Sequence, residues 1–70
     1  MDDLEEKQIF FNSIIEAIIA SGYSDPGYYV DDHHGIPYIF DSYDNPRQSI
    51  AGDSPTAIII DFAKVLEEDR

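Results

Sequence analysis

The chain has 70 residues, of which 15 are acidic and four are basic, so its formal net charge is −11 at pH 7 with both histidines neutral. This acidity disfavours direct binding to nucleic acid or to anionic lipid, because both need lysine and arginine. There is no cysteine, which excludes disulfides and thiolate metal sites, and we expect one acidic domain over residues 1–70 with a single small core.

The first predicted element is a helix over residues 3–21. One apolar stripe at 100° per residue contains Leu4, Phe11, Ile14, Ile15 and Ile18, with Phe10 and Ile19 on its flanks. Gly22 follows the last periodic residue and is the predicted C-cap. Ile9 falls on the polar side of the helix, which makes it a candidate contact residue.

A β-hairpin is predicted next, with strands over residues 28–32 and 36–42 after a turn at residues 23–27. The connection, residues 33–35, ends in a glycine that supplies a positive φ. Because side chains alternate along a strand, Ile36, Tyr38 and Phe40 share one face, and Ile39 and Asp41 share the other. Pro37 cannot donate to a ladder, so we expect a sheet edge or a bulge there.

Residues 47–51 predict a short third strand, and residues 55–69 predict a second helix. Its N-cap is Asp53 or Ser54, followed by a proline at the first helical position. The expected apolar stripe of this helix contains Ile58, Ile59, Phe62, Val65 and Leu66. These elements predict an α+β fold of order α-β-β-(β)-α, with a small antiparallel sheet of two or three strands and both helices packed on one face.

The second helix ends in Glu67, Glu68 and Asp69, at the negative end of its own dipole. That placement is unfavourable by a few tenths of a kcal/mol per group, and Arg70 is the only neighbour in sequence that offsets it. Locally unfavourable choices tend to mark functional surfaces. We therefore interpret this terminus as a candidate extension of an acidic binding surface.

No arrangement of residues indicates catalysis or a cofactor. The serines lack a triad context, no glycine loop is suited to phosphate, and 70 residues hardly build a deep cleft. The Asp-Asp-His-His run at 31–34, with Asp41 and Asp44 across the hairpin, offers carboxylates and imidazoles to a divalent transition metal. However, strand neighbours point to opposite faces and the spacing matches no recognised ligand set. We expect a solvated hairpin tip, no metal, no cofactor and no enzymatic activity.

Tyrosines and aspartates are interleaved in and around the hairpin, and tyrosine gives large contact area at low entropic cost. We predict a partner-binding surface there, extended by the segment that follows. Its residues are Asp25, Tyr28, Tyr29, Asp31, Asp32, Asp41, Tyr43, Asp44, Gln48, Ser49, Ile50 and Asp53.

The charge density limits what this surface imitates. A domain of this size exposes roughly 4,400 Å², or about 400 Å² per net charge, whereas duplex DNA has a charge for about every 110 Å². Imitation of nucleic acid therefore requires the carboxylates to gather on one face. The alternative is an evenly solvated acidic surface that serves solubility.

The first functional hypothesis is an acidic, non-enzymatic inhibitor that mimics nucleic acid and occupies the basic cleft of a nucleic-acid-binding protein. Small acidic proteins of phages and mobile elements act in this way on restriction enzymes, CRISPR effectors and DNA-repair glycosylases. The segment Gln48-Ser49-Ile50 is similar to a Glu-Ser-Ile segment of some uracil-DNA glycosylase inhibitors, with Gln in the place of Glu. Opposite charge would steer association, and Ile9, Tyr29 or Ile50 would anchor it.

The alternative hypothesis is an antitoxin-like or adaptor module that binds a basic protein, either as a monomer or as a homodimer formed through Ile9 and Ile60. A metal-binding regulator is the third class. The acidic N-terminus and the absence of a long apolar stretch predict a cytoplasmic protein, a monomer or homodimer that contacts neither nucleic acid nor membrane directly.

Overall fold

The computed structural model describes residues 3–69, and its elements follow the order α-β-β-β-α. They are α1 (Asp3–Ala20), β1 (Tyr29–His33), β2 (Ile36–Phe40), β3 (Pro46–Ser49) and α2 (Pro55–Glu68). The strands form one antiparallel sheet in the order β1-β2-β3. The predicted α+β class and the third strand are confirmed. Neither helix within residues 3–69 combines the length and apolar character that crossing a membrane requires.

The core lies between the two helices and one face of the sheet. Val30 and Ile39 are cross-strand partners on that face, and the rings of Phe11 and Phe62 meet edge to face at 4.8 Å to join α1 to α2. The buried apolar residues are Phe11, Ile15, Val30, Ile39, Ile50, Ile58, Phe62 and Val65. Both helices therefore pack on the same side of the sheet, and its other side carries no helix.

A two-residue turn closes the hairpin between β1 and β2. His34 and Gly35 both have positive φ, 54° and 82°, which is the geometry that matches the twist of paired strands. His33 and Ile36 are the closing pair, and from there the register runs back to Tyr29 opposite Phe40. The turn thus fixes which side chains share a face.

Because Pro37 has no N–H to donate, we expected it at a sheet edge or a bulge. Instead it lies on β2, which is the central strand of the sheet. Its carbonyl accepts a hydrogen bond from the Ile50 N–H at 2.9 Å, so its backbone faces β3 one residue beyond Ser49, where that strand ends. The missing donor therefore interrupts no pairing within β3. The irregularity in this pair lies further along, between Ile39 and Phe40.

The helix ends follow the predicted capping. The N–H of Gly22 (φ 96°) donates to the Ile19 carbonyl at 3.0 Å, and the Tyr23 N–H donates to the Ile18 carbonyl at 3.3 Å, which together form a Schellman motif. At the other helix, the Ser54 hydroxyl accepts from the Ala57 N–H and is the N-cap.

The predicted apolar stripe of α2 is wrong on one flank. Its buried residues are Ile58, Asp61, Phe62 and Val65, spaced i, i+3, i+4 and i+7. Ile59 and Leu66 are 50% and 41% exposed instead. A three-stranded sheet and a single partner helix cover only a narrow arc of α2, so these two side chains remain beyond it.

Candidate functional site: the open face of the sheet

The sheet has an uncovered face, which we call the open face. The strand registers place on it Tyr29, Asp31 and His33 from β1, Ile36, Tyr38 and Phe40 from β2, and Ser49 from β3. Every one of these residues is exposed or half-buried, and none is buried. The more apolar side of β2 is therefore the side away from the helices, which is the kind of exposed patch that marks an interaction site.

The aromatic side chains of the open face form one connected layer. The rings of Tyr29 and Phe40 stack with centroids 5.3 Å apart and planes within 9°. The His33 ring meets Tyr38 edge to face at 4.9 Å and Phe40 at 6.1 Å. These contacts hold the rings in place, so the face is a preformed surface.

Carboxylates border this aromatic layer. The Tyr29 hydroxyl donates to the Asp44 carboxylate at 2.6 Å. This hydrogen bond is the main reason that the pKa of Tyr29 is raised to about 12, with desolvation and the negative charges of Asp44, Asp31 and Asp41 acting in the same direction. The raised pKa of Tyr29 thus reports mainly its hydrogen bond to Asp44.

Asp44 reaches Tyr29 because of the turn that follows β2. One carboxylate oxygen of Asp41 accepts the N–H groups of Tyr43 and Asn45 at 2.9 and 3.0 Å, and the Asp44 N–H donates to the Asp41 carbonyl at 3.0 Å. Asp44 itself adopts a positive φ of 65°. The turn therefore directs the Asp44 side chain back across the end of β1.

Asp41, predicted as a binding residue, serves the fold instead. Hydrogen bonds from the backbone N–H groups of Asn45 and Tyr43 and from the Arg47 guanidinium lower the pKa of Asp41, the largest effect coming from Asn45. Its other carboxylate oxygen pairs with Arg47 at 3.3 Å on the helix side of the sheet. Both oxygens of the Asp41 carboxylate therefore have partners within the fold, and neither is readily available to a binding partner.

The lysines and arginines within residues 3–69 are all paired away from the open face. Lys7 pairs with Asp53 at 3.2 Å beside the N-termini of the helices, and Lys64 pairs with Asp61 at 3.6 Å on α2. Arg47 pairs on the helix side, as described next. Consequently, no described lysine or arginine offsets the negative charge of the open face.

The acidic end of α2 has a partner that sequence reasoning missed. Arg47 pairs with Asp69 at 2.6 Å and lies 4.0 Å from the Glu68 carboxylate, and the Tyr28 hydroxyl also donates to Asp69. These bonds lower the pKa of Asp69, chiefly through Arg47 and then through Tyr28. Arg47 of β3 thus offsets the acids of this terminus, whereas Arg70 lies outside the described residues. The acids are explained by folding and indicate no binding surface by themselves.

Two further predicted binding residues lie on the helix side. Ile50 is 1% exposed and belongs to the core, so its predicted role as an anchor is wrong. Tyr28 packs edge to face on Phe62 at 5.5 Å, with its hydroxyl held by Asp69. Both point away from the open face because their positions have the same parity as Val30 and Gln48.

The remaining predicted residues are scattered. Gln48 lines a groove beside α2, and Asp53 lies next to Lys7. Asp25 and Asp32 accept the backbone N–H groups of Gly27 and Gly35 within their turns. Tyr43 is 83% exposed in the loop after β2. Of the twelve predicted residues, the structure brings together Tyr29, Asp31, Asp44 and Ser49.

The open face also contains four residues that sequence reasoning did not select: His33, Ile36, Tyr38 and Phe40. The signal for three of them is present in the alternation of β2, which places Ile36, Tyr38 and Phe40 on one face. It was missed because the more apolar face of a strand is ordinarily the one that packs on the core.

Surfaces outside the open face show fewer features of a binding site. Within residues 3–69, no group of three or more histidines and carboxylates is arranged to hold a metal ion. Ile9 and Ile60 are half-exposed, as predicted, and an open groove of about 580 Å³ lies beside Ile60, Ala63 and Gln48. Comparison with known proteins adds no relative, since no family model, curated protein or solved structure matches the chain.

Proposed function

We propose that this protein is a non-catalytic inhibitor that binds, through its open face, a basic nucleic-acid-binding surface of another protein and excludes the nucleic acid from it. The observation that supports this most is the composition of that face. It is a connected aromatic layer bordered by Asp31 and Asp44, and none of the lysines and arginines of residues 3–69 lies on it.

Each component of the face has a part in this function. The net charge of −11 steers a basic partner into encounter. The rings of Tyr29, Tyr38 and Phe40 then provide apolar area that is already ordered, which lowers the entropic cost of binding. Of the predicted aspartates, only Asp31 and Asp44 lie at the open face, and the average charge density of the protein is about fourfold below that of duplex DNA. The inhibitor therefore shares the sign of the nucleic-acid charge and does not reproduce its spacing.

The similarity of three residues to uracil-DNA glycosylase inhibitors does not contribute to this proposal. In this fold Ile50 is buried in the core, and the Gln48 side chain donates to the Ser49 carbonyl on the helix side of β3. The proposal is therefore limited to a class of target, proteins with a basic nucleic-acid site.

The test is capture from a lysate by the immobilised protein, at low and at high salt, with free duplex DNA and RNA as competitors. We expect nucleic-acid-binding proteins to be captured, to be released by salt, and to be displaced by the nucleic acid. Asp31→Asn is expected to weaken capture, and Glu16→Gln, which removes the same charge from the exposed side of α1, is the matched control. Salt-insensitive capture that nucleic acid cannot displace would contradict the proposal.

The groove beside α2 favours a second candidate, an adaptor or antitoxin-like module. Ile60 and Ala63 line it, between Lys64 and Glu67, and a partner helix or a second copy of the chain would cover them. The solution mass of the isolated protein discriminates between the two. A dimer that Ile60→Ser dissociates and Asp31→Asn does not would favour the module over the inhibitor.

A further inference from the structure

Asp31 lies in the middle of β1, the strand at one edge of the sheet, and its side chain is on the open face. Tyr29 and His33 are its neighbours on the same side of β1, each about 7 Å away along the strand. Tyr38 is its direct cross-strand partner. The exposed Asp31 carboxylate therefore has a ring-bearing residue on three sides and the sheet edge on the fourth. The Tyr29–Phe40 stack continues the aromatic layer towards Asp44.

Part of the Asp31 carboxylate is available to a ligand. One of its oxygens accepts the Asp32 N–H at 2.8 Å, which fixes the orientation of the carboxylate while leaving its other oxygen for an incoming donor. Asp44 is similarly fixed through the Tyr29 hydroxyl. Two oriented carboxylates thus flank a layer of aromatic rings on a strand pair.

The chemical group that suits this arrangement is a guanidinium. It is planar, it stacks on aromatic rings, and it donates several hydrogen bonds to carboxylates in a fixed geometry. A lysine ammonium is a strongly hydrated point charge, which gains from the acidic surroundings but less from the rings. Since the open face contains both features side by side, it should distinguish the two cations.

We propose that the open face is an arginine-binding site, at which an arginine side chain of the partner protein lies against the rings around Tyr38 and donates to Asp31, while Asp44 adds negative charge beside Tyr29. This inference rests on the proposed function, because basic nucleic-acid sites are rich in arginine, and it names the group by which such a site is held. It also assigns roles to His33, Tyr38 and Phe40, whose rings form the surface against which the guanidinium lies.

The test uses oligo-arginine and oligo-lysine peptides of equal length and charge, titrated into the full chain at low salt by calorimetry and by NMR. We expect the arginine peptide to bind about two- to fivefold more tightly, the ratio that corresponds to an exposed cation–π contact. The ring signals of His33, Tyr38 and Phe40 should shift on binding. Equal affinities, or shifts confined to the helices, would overturn the inference.

Two variants separate the contribution of the aromatic rings to peptide affinity from that of the carboxylate charge. Tyr38→Leu keeps an apolar side chain and should abolish the arginine preference by weakening the arginine peptide more than the lysine peptide. Asp31→Asn should weaken both peptides more than Glu16→Gln, which removes an equal charge from α1. If the two acid variants weaken binding equally, the peptides sense only net charge and the inference fails. The wild-type comparison of the two peptides decides the matter if Tyr38→Leu does not fold.

This test is independent of the target. If nucleic-acid-binding proteins are captured and displaced by DNA but the peptides show no arginine preference, the proposed function stands and this inference fails. If the preference is found but no nucleic-acid-binding protein is captured, the arginine site stands and the proposed function fails.

Discussion

Tyr29 connects the aromatic and the acidic parts of the open face. Its ring stacks on Phe40 while its hydroxyl donates to Asp44, so the orientation of the ring depends on a carboxylate from the following turn. A hydrogen bond to a carboxylate stabilises the neutral phenol, since ionisation would place two negative charges in contact. The position of Asp44 is therefore open to measurement through the titration of one tyrosine.

We predict that Tyr29 ionises with a pKa of about 12, and that Asp44→Asn brings this pKa back towards the ordinary value near 10. The measurement is the ultraviolet absorbance of tyrosinate against pH, with the Tyr29→Phe variant subtracted to isolate this residue. Because the folded pKa is raised, the stabilisation from the hydrogen bond is complete below about pH 10 and is lost as the pH rises towards 12. An unshifted Tyr29 in the wild-type protein would show that Asp44 does not reach it.

The role of an individual carboxylate cannot be predicted from its neighbours in sequence. The interleaving of tyrosine and aspartate predicted an acidic aromatic surface, and Tyr29, Asp31 and Asp44 form one. Asp41 has the same local composition around it, yet it holds the turn and pairs with Arg47. Its partner is six residues ahead on another strand, and that proximity arises only once β3 pairs with β2.

Among the elements, β3 and α2 are joined by a polar cluster. Arg47 bridges Asp41 on one side and Asp69 on the other, and Tyr28 adds a second hydrogen bond to Asp69. The cluster fastens the last turn of α2 to the sheet, and it compensates for carboxylates at the negative end of the helix dipole.

We predict that Arg47→Met lowers the thermal midpoint at neutral pH by more than Lys64→Met, whose ammonium is exposed and pairs within α2. The pKa values of Asp41 and Asp69 are held below their ordinary value. Their contribution is therefore present above about pH 4, the ordinary pKa of aspartate, and is lost as the pH falls through the lower folded values. The difference between Arg47→Met and wild type should shrink over that range, and thermal scans at several pH values measure it. A difference that stays constant with pH would mean that Arg47 acts through packing alone.

The two faces of β2 differ in burial, which gives a second prediction about the elements. Ile39 is fully buried on the face of the sheet that the helices cover, whereas Ile36 on the open face is 47% exposed. We expect Ile39→Ala to cost about 2–5 kcal/mol, a large part of the stability of so small a domain, and Ile36→Ala to cost less than about 1 kcal/mol. Chemical denaturation of the two variants checks the assignment of faces, because the reverse order would place the core on the other side.

Which face of β2 is buried could not be predicted from the sequence. Caps and turns determine the elements locally, so Gly22, Ser54 and the turn after His33 gave the helix ends and the hairpin. Alternation determines which residues share a face but not which face is covered. Here the apolar face of β2 is the uncovered one, and Ile59 and Leu66 likewise lie outside the arc that the small sheet covers. Both departures leave apolar area for a partner.

For the whole molecule, the main electrostatic effect is repulsion among its own carboxylates. The fold measures 33 × 23 × 18 Å, and the screening length of water is about 30 Å at 0.01 M salt but only about 8 Å at 0.15 M. At low salt, each carboxylate therefore acts on the entire molecule, and the net charge of −11 opposes the compact state. Raising the salt confines each charge to its immediate neighbours.

The chain and its complex should consequently respond to salt in opposite directions. We predict that the thermal midpoint of the isolated protein rises between about 0.01 and 0.15 M salt, because screening removes more repulsion than it removes attraction from the few ion pairs. Glu16→Gln should raise the midpoint at low salt and lose that advantage at high salt, since it removes one repelling charge and no described ion pair. The same carboxylates attract a basic partner, and screening weakens that attraction. The complex should therefore weaken over the same range of salt concentration. Calorimetric scans of the free protein and titrations of the complex measure the two trends. A midpoint that falls with salt would show that attraction within the ion pairs outweighs repulsion across the fold. The surplus charge would then not destabilise the folded state, and no binding partner would be needed to explain why the chain carries it.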